Sequence, residues 1–310
     1  MSQLFTEAVL VAIVASGIRL AVPLLLASLG EMYGQRSGVL NLGVDGIMLL
    51  GAFSGYYMVL RSGNVWYGLV AGAVIGCLLG LASAVISVSL KAEQGISGIG
   101  VFLFGLGMSD LLFQKMVGTP VPVTSFSNVD IPLLSDIPVV GAMLFQHSLV
   151  TYLAFAAVPL SLFVLNRTTF GLNIKAVGEN PEAADSVGVS VTKVRYATVT
   201  IGGTMAGFAG AALAIDLGIF QQNLTNAAGF IAIALVYFGA WRPVGVMAGA
   251  LLYGFVNALV LQLKTLGIIP RSWSDIAAMA PAVVTILALV VVAQRFRQPA
   301  ALTKPFTRGT

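Results

Sequence analysis

The chain has 310 residues, of which only 9% are charged and 58% are hydrophobic. Soluble domains carry roughly 25% charged residues, so this composition excludes an ordinary soluble domain. The net charge of +4 comes mostly from bases in predicted loops, which favours contact with membrane lipid over binding of nucleic acid. The single cysteine, Cys77, excludes a disulfide within the chain and a thiolate metal site.

Long apolar segments follow one another along the chain, and most are about 20 residues long, the length that a helix needs to cross roughly 30 Å of hydrocarbon. Strands of a membrane barrel would alternate apolar and polar residues, and these segments do not. We therefore predict an all-α polytopic membrane protein with one transmembrane domain over residues 1–310. In chain order the apolar segments are 6–29, 39–60, 65–90, 96–116, 149–165, 194–215, 229–240, 244–263 and 276–293.

Two of these segments are predicted to be interrupted. The second contains Asn41, Asp45 and several glycines, and the seventh is too short to span easily and ends at the turn Trp241-Arg242-Pro243. We expect eight to ten transmembrane helices, with one or two broken or re-entrant segments.

The distribution of Lys and Arg among the loops predicts the orientation. The loop 166–193 and the C-terminal tail are basic, so we expect both on the cytoplasmic side. The loop 117–148 has no Lys or Arg and carries Asp130 and Asp136, so we expect it outside. An uninterrupted count of nine segments places the N-terminus outside, and a break in the second or seventh segment reverses that.

A short helix with its own start and stop signals is predicted within the cytoplasmic loop. Asn180 is a favourable N-cap and Pro181 suits the first helical position. Glu182 and Asp185 lie in the early turns, where the helix dipole favours acids. Gly188 ends the helix, because glycine readily adopts the left-handed conformation. Such a helix is too short and too polar to enter the bilayer.

The run GLNIKAVGENPEAADSVGVSVTKVRY, which leads into GGTMAGFAGA, resembles the permease subunits of ATP-binding-cassette importers. The resemblance is to the branch that serves branched-chain amino acids, simple sugars and nucleosides. LGEMYGQRSGVLNLGVDGIMLLGAF is similar to its nucleoside and simple-sugar permeases, and KAEQGISGIG and GFIAIALVYFGAWRPVG extend the match over nearly the whole chain. Gln35 and Asp45 stand where the family often has Glu.

The resemblance implies a permease domain that imports a nucleoside or a simple sugar by alternating access across the inner membrane of a prokaryote. The implied partners are two cytoplasmic ATPase subunits, a second permease subunit, identical or homologous, and an external substrate-binding protein. ATP and Mg²⁺ would bind the ATPase, so we expect no cofactor and no enzymatic activity in this chain. The short helix would be the coupling helix that seats in the ATPase, with contacts from Glu179, Asn180, Pro181, Glu182, Ala183, Ala184, Asp185 and Gly188.

A path for such a substrate needs scattered hydrogen-bonding groups and apolar or aromatic walls. Asn41 and Asp45 are four residues apart, which places them on one face of a helix, and the resemblance favours that face as part of the path. The other candidates for the translocation path are Asn223, Tyr237 and Asn257. Each of them alone is more often a packed polar side chain.

Four ionisable residues fall within or at the ends of apolar segments. Such groups are costly in hydrocarbon, so they usually face a bundle interior, a partner or water. Asp110 and Asp216 are predicted near outer ends and suit the membrane interface. Arg19 and Asp45 lie deeper. Arg19 is placed to pair with Asp45 or Glu31, and a structural salt bridge and a path-lining role are equally good interpretations.

Other functions are weaker interpretations of the sequence. The chain has no G-x-x-x-x-G-K-[ST] phosphate loop, and its one histidine, His147, has no nucleophile beside it that we can place. A secondary transporter driven by an ion gradient is the main alternative, because that class also has discontinuous helices. A receptor or channel is a third, weaker interpretation, because neither needs the short helix that begins after Asn180 to bind a partner.

Overall fold

Helices form nearly all of the regular structure in the computed structural model, which describes residues 7–130, 132, 135, 137, 139–293 and 297–308. Asp136 and the first residue of segment 6–29 lie outside the described residues. The helices are α1 Glu7–Arg36, α2 Val44–Ser62, α3 Val65–Ala84, α4 Gln94–Met116, α5 Val140–Leu144, α6 Leu149–Arg167, α7 Thr169–Glu179, α8 Pro181–Ser186, α9 Val191–Leu217, α10 Ala228–Phe238, α11 Pro243–Thr265, α12 Ser274–Ala278 and α13 Ala280–Ala293.

Shorter elements complete the described structure. A π-helical turn, Val85–Ser89, extends α3, and a 3₁₀ turn, Arg271–Trp273, precedes α12. The strands β1 Asn128–Asp130 and β2 Gln146–Ser148 pair antiparallel, with Val129 opposite His147.

Each predicted apolar segment corresponds to helical structure in the described residues. Two of these helices differ from an ordinary membrane span. The helix α2 is largely buried among other helices, and α10 has only 11 residues. The prediction of an all-α polytopic membrane protein is therefore confirmed. The seven described spans that are long and apolar enough to cross a membrane are Val9–Arg36, Val65–Ser89, Gln94–Met116, Leu149–Arg167, Val191–Leu217, Pro243–Thr265 and Arg271–Val290.

The helix α9 lies at the centre of the bundle and contacts α1, α2 and α3. Its contact with α3 is made by glycines: Gly76 meets Gly203 and Gly207, and Gly72 also meets Gly207. A Cβ atom on Gly76 would overlap the carbonyl oxygen of Gly203. The glycines spaced at four along these two helices therefore face one another, which is how helix backbones approach closely in lipid.

The second predicted segment is interrupted at its start. The helix α1 ends at Arg36, residues 37–43 form a turn, and α2 begins only at Val44. Gly38 has a φ of +91° in this turn. The prediction that Asn41 and Asp45 share one helical face is wrong, because Asn41 lies in the turn and only Asp45 is on α2.

The seventh segment is a half-helix that begins inside the bundle. After α9 the chain folds back into the protein, with Phe220, Leu224 and Thr225 buried. The helix α10 then starts against the first turn of α2, where a Cβ on Gly229 would overlap the backbone of Asp45. This arrangement agrees with the predicted re-entrant piece.

The polar loop, residues 166–193, and the C-terminal residues 297–308 lie on the same face of the bundle. The N–H of Ala301 donates to the carbonyl of Gly178 at 2.9 Å. At the other end of α9, the N–H of Val123 donates to the carbonyl of Gly218 at 2.8 Å. Because the 27 residues of α9 extend about 40 Å, the polar loop and the segment that contains Val123 lie at opposite ends of the bundle.

Candidate functional site

The helix α8 has the start and the stop that its sequence predicts. The side chain of Asn180 accepts a hydrogen bond from Ala183 N at 3.0 Å, and Pro181 occupies the first helical position. At the end, Gly188 has a φ of +89°. The N–H groups of Gly188 and Val189 donate to the carbonyls of Asp185 and Ala184, both at 3.0 Å. These two bonds form a Schellman motif, which satisfies carbonyls that would otherwise be free.

One side of α8 packs into the protein and the other side faces away from it. Ala184 is buried in the main apolar core, so its side chain anchors the helix. Glu182, Ala183 and the flanking Glu179 are exposed. Val187, just after the helix, is 79% exposed. Val187 is thus a large apolar side chain that the described residues leave almost uncovered.

The helix α7 connects this surface to the end of α1. Ile174 and Val177 are buried on its inner face, and Gly178 approaches the carbonyl of Arg36 too closely to admit a side chain. Lys175 donates to Asn166 at 2.8 Å. Burial, and then the charge of Arg36, lower the pKa of Lys175. The α7–α8 segment is thus packed against the bundle through the inner face of α7.

A buried polar cluster, formed by Glu31, Gln35, Asn41 and Trp241, lies where α1 ends and α2 begins. Glu31 Oε1 accepts from Gln35 Nε2 and from the N–H of Asn41, both at 3.1 Å. Gln35 Oε1 accepts from the indole N–H of Trp241 at 2.9 Å. Tyr237 packs edge-on against Trp241, with ring centroids 4.9 Å apart. The cluster therefore joins α1, the turn 37–43 and the end of α10.

Asp45 lies next to this cluster, in the first turn of α2. Its Oδ1 accepts from the N–H of Gly229 at 2.7 Å, and its side chain is only 1% exposed. The carboxylate thus satisfies one of the free N–H groups at the start of α10, where the helix dipole also favours an acid. In this conformation Asp45 joins two interrupted helices inside the bundle.

The other path candidates do not form one group. The exposed Asn223 lies in the re-entrant loop between α9 and α10. Asn257 is on α11, one turn after Gly254, which packs on Gly17 of α1. Gly17 lies 14 residues before the buried polar cluster, about 21 Å along α1. The structure thus brings Asn41, Asp45 and Tyr237 into one neighbourhood and leaves Asn257 outside it.

Arg19 does not pair with Asp45 or Glu31, so that prediction is wrong. Its Nε lies 2.6 Å from Asp216 Oδ2, and its Nη2 donates to the carbonyl of Asp216 at 2.9 Å. Both residues line a polar cavity of about 270 Å³ that also includes His147. Because this cavity lies at the end of α9 away from α8, the charges there face a polar space rather than hydrocarbon.

Of the buried polar cluster, sequence reasoning assigned a role only to Asn41. Glu31 and Gln35 are four residues apart on α1, just after the first apolar segment, and that spacing on one helical face was a usable signal. Trp241 gave no signal, since its partner is 206 positions away in the chain. Arg195 was also missed: it is only 2% exposed and binds backbone carbonyls of two distant segments.

Comparisons with known proteins find one family and several relatives that match most of the chain. Residues 13–292 match the family described as branched-chain amino acid transport system / permease component. The guanosine ABC transporter permease protein NupQ of Bacillus subtilis is 35% identical over 309 residues, 96% of this chain and 97% of that protein. The nucleoside ABC transporter permease protein NupC of Lactococcus lactis is 35% identical, with 90% and 91% covered. The putative glucose ABC transporter permease protein TsgC13 of Haloferax volcanii is 41% identical, with 81% and 77% covered. No solved structure gives a significant match.

Proposed function

Because this chain belongs to the family of branched-chain amino acid transport system permease components, we propose that it forms the membrane path of an ATP-driven importer for a nucleoside or a simple sugar. The substrate class is supported by the names of the relatives NupQ, NupC and TsgC13. As a permease component it is a transport subunit, and a separate subunit hydrolyses ATP. The ion-gradient alternative has no support among the relatives.

The observation that carries the proposal is the α7–α8 surface. This surface lies outside the membrane spans, and α7 and α8 each present a large exposed apolar side chain there: Leu172 on α7 is 66% exposed, and Val187, just after α8, is 79% exposed. Two exposed apolar side chains on one short polar segment fit a protein partner better than water. We propose that α8 is the coupling helix and that the cytoplasmic ATPase covers this surface.

The proposed orientation follows from the same contacts. The α7–α8 segment and residues 297–308 share one face of the bundle, and both carry bases. Lys and Arg are more frequent in short loops on the cytoplasmic side of a membrane than in those on the other side. We therefore place both segments, and the C-terminus with them, in the cytoplasm. An external binding protein would then meet the opposite face, where β1, β2 and the polar cavity lie. A second permease subunit, identical or homologous, would complete the path.

The test is association with the ATPase after a change confined to the surface. Val187→Glu places a charge on an exposed side chain and leaves the helix bonds intact, whereas Val187→Thr keeps the shape and serves as the control. We expect Val187→Glu to reduce co-purification of the ATPase and uptake together, with the threonine variant close to wild type. Glu182→Arg combined with Ala184→Pro, which breaks α8 itself, should abolish both while membrane insertion is retained.

Two results would contradict the proposal. If the broken-helix variant still retains the ATPase, α8 is not the docking element. If purified chain alone in proteoliposomes takes up substrate with an ion gradient and no ATPase, the protein is a secondary transporter.

Competition of labelled uptake by nucleosides and by pentoses decides the substrate class.

A further inference from the structure

Residues 297–308, which we call the C-terminal strap, lie across the face that carries α7 and α8. Ala301 and Leu302 of the strap are 3% and 5% exposed, and Leu302 belongs to the main apolar core. Peripheral chain with no regular structure usually frays. This strap is instead anchored by the burial of Ala301 and Leu302.

The strap joins two parts of the protein that are far apart in sequence. On one side, Ala301 donates its N–H to the carbonyl of Gly178, at the end of α7, at 2.9 Å. On the other side, Thr303 donates its N–H to the carbonyl of Gly38, in the turn between α1 and α2, at 3.1 Å. Three consecutive strap residues therefore span from the end of α7 to the turn between α1 and α2.

Gly38 is suited to this contact. Its φ of +91° is a conformation that side chains rarely adopt, and a Cβ there would lie only 2.9 Å from the carbonyl oxygen of Ala301. Glycine both permits the turn and admits the strap backbone beside it. The backbones of the turn and the strap are therefore in direct contact.

Arg195 holds the same junction from beneath. Its Nε donates to the carbonyl of Ser37 at 3.2 Å, and its Nη1 donates to the carbonyl of Lys304 at 3.0 Å. Its Nη2 has no hydrogen-bond partner within the described parts of the chain. A buried cation without a carboxylate is costly. Its position is explained by the two backbone segments that it ties to α9.

The end of the strap reaches α8 directly. Arg308 Nε lies 2.9 Å from Asp185 Oδ2, although the Arg308 side chain remains 81% exposed. An ion pair this exposed contributes little stability. It does bring the strap to the outer part of α8, so the strap contacts the segment at both its base and its tip.

We propose that the C-terminal strap transmits the displacement of α8 to the turn 37–43 and so to the start of α2. This inference rests on the proposed function, in which the ATPase moves α8. When α8 moves, the strap carries Gly38 with it through the backbone hydrogen bond from Thr303, and Ser37 through Arg195, which binds both Ser37 and Lys304. The turn is hydrogen-bonded to the buried polar cluster through Asn41, and α2 follows it, so the motion reaches Asp45 and α10 inside the bundle.

The experiment uses the complete importer, purified through a tag on this chain and reconstituted with its ATPase and binding protein. The first variant ends after Arg297, and its control lacks only residues 309 and 310. The second is Leu302→Asp, which places a charge under the strap. Its control, Lys304→Ala, removes an exposed side chain but keeps the carbonyl that Arg195 binds. Substrate uptake, ATP hydrolysis and co-purification of the ATPase are measured together.

We expect both strap variants to retain the ATPase and its hydrolysis, while substrate taken up per ATP falls by about fivefold or more. The two controls should match wild type. If the shortened chain does not accumulate, Leu302→Ala removes the buried contact without burying a charge and serves in its place.

Unchanged uptake per ATP in the strap variants would overturn the proposal. Loss of the ATPase from these variants would also overturn it, because the strap would then be a docking element. If the wild-type complex fails to couple uptake to ATP hydrolysis at all, the proposed function itself fails, which is a separate outcome.

Discussion

The side chains of Arg19 and Asp216 join α1 to the C-terminal end of α9, with Nε and Oδ2 2.6 Å apart. The guanidinium also donates to the backbone carbonyl of Asp216, so it satisfies one of the free carbonyls at the end of α9 and complements the negative end of its dipole. The side chains are 56% and 27% exposed, respectively, because both face the polar cavity beside β2. The pair thus links two antiparallel helices at the face opposite α8.

This geometry predicts a small coupling energy. Arg19→Ala and Asp216→Ala should each destabilise the protein, and the double variant should show a coupling of about 1 kcal/mol or less, as for exposed pairs. Thermal unfolding of the four proteins in detergent measures it. A coupling of about 3 kcal/mol or more would contradict this prediction, because it would mean that the pair is buried away from water.

The glycine contact between α3 and α9 predicts opposite outcomes at two glycines. Gly76→Ala should destabilise by about 1–3 kcal/mol, because the methyl group would overlap the backbone of Gly203 and force the helices apart. Gly107→Ala is the control, since its Cβ would meet nothing within 4 Å, and alanine favours the helix. Thermal unfolding of the solubilised chain compares them. Equal loss in both variants would argue against close packing at Gly76.

The end of α8 depends on the backbone conformation of Gly188 and not on space around it. Gly188→Ala should weaken the end of α8 by about 1 kcal/mol, because a side chain disfavours positive φ, whereas Gly188→Asn should cost less because Asn tolerates that conformation. Hydrogen exchange at Val189, whose N–H bonds to Ala184, reports the difference. Equal protection in glycine and alanine chains would contradict the Schellman ending.

Substitutions at Asp45 separate a structural role from a path role. Asp45→Asn keeps an oxygen for the N–H of Gly229, whereas Asp45→Leu leaves that buried donor unpaired at a cost of about 1–3 kcal/mol. We expect the asparagine variant to be stable with a nearly normal KM for uptake, and the leucine variant to be less stable. A stable asparagine variant with a strongly raised KM would instead show that the charge meets the substrate.

The first turn of α4 predicts a pH dependence. Hydrogen bonds from the N–H groups of Ile96 and then Gly95 lower the pKa of Glu93, which lies outside the apolar span. A depressed folded-state pKa contributes stability above the ordinary carboxyl value, and that stability is lost as the pH falls through the lowered pKa. Glu93→Gln should therefore be less stable than wild type at neutral pH, with the difference shrinking in acid. A difference that grows in acid would contradict this cap.

Several features could be predicted from the sequence because their physics is local. Transfer of an apolar segment into lipid depends on that segment alone, so the helical spans follow from composition. The cap at Asn180, the proline after it and the ending at Gly188 each act within one or two turns of α8. The spacing of Gly72 and Gly76 likewise predicts a helix surface that another backbone can approach.

Tertiary structure decided which surfaces meet. The pairing of Arg19 with Asp216, the bond from Trp241 to Gln35 and the strap contact at Gly38 each join residues far apart in the chain. Such contacts depend on how helices are rotated and stacked, and many pairings of apolar faces have similar transfer energies. The position of a charge within one segment therefore predicts that it needs a partner, but only the packed bundle selects that partner.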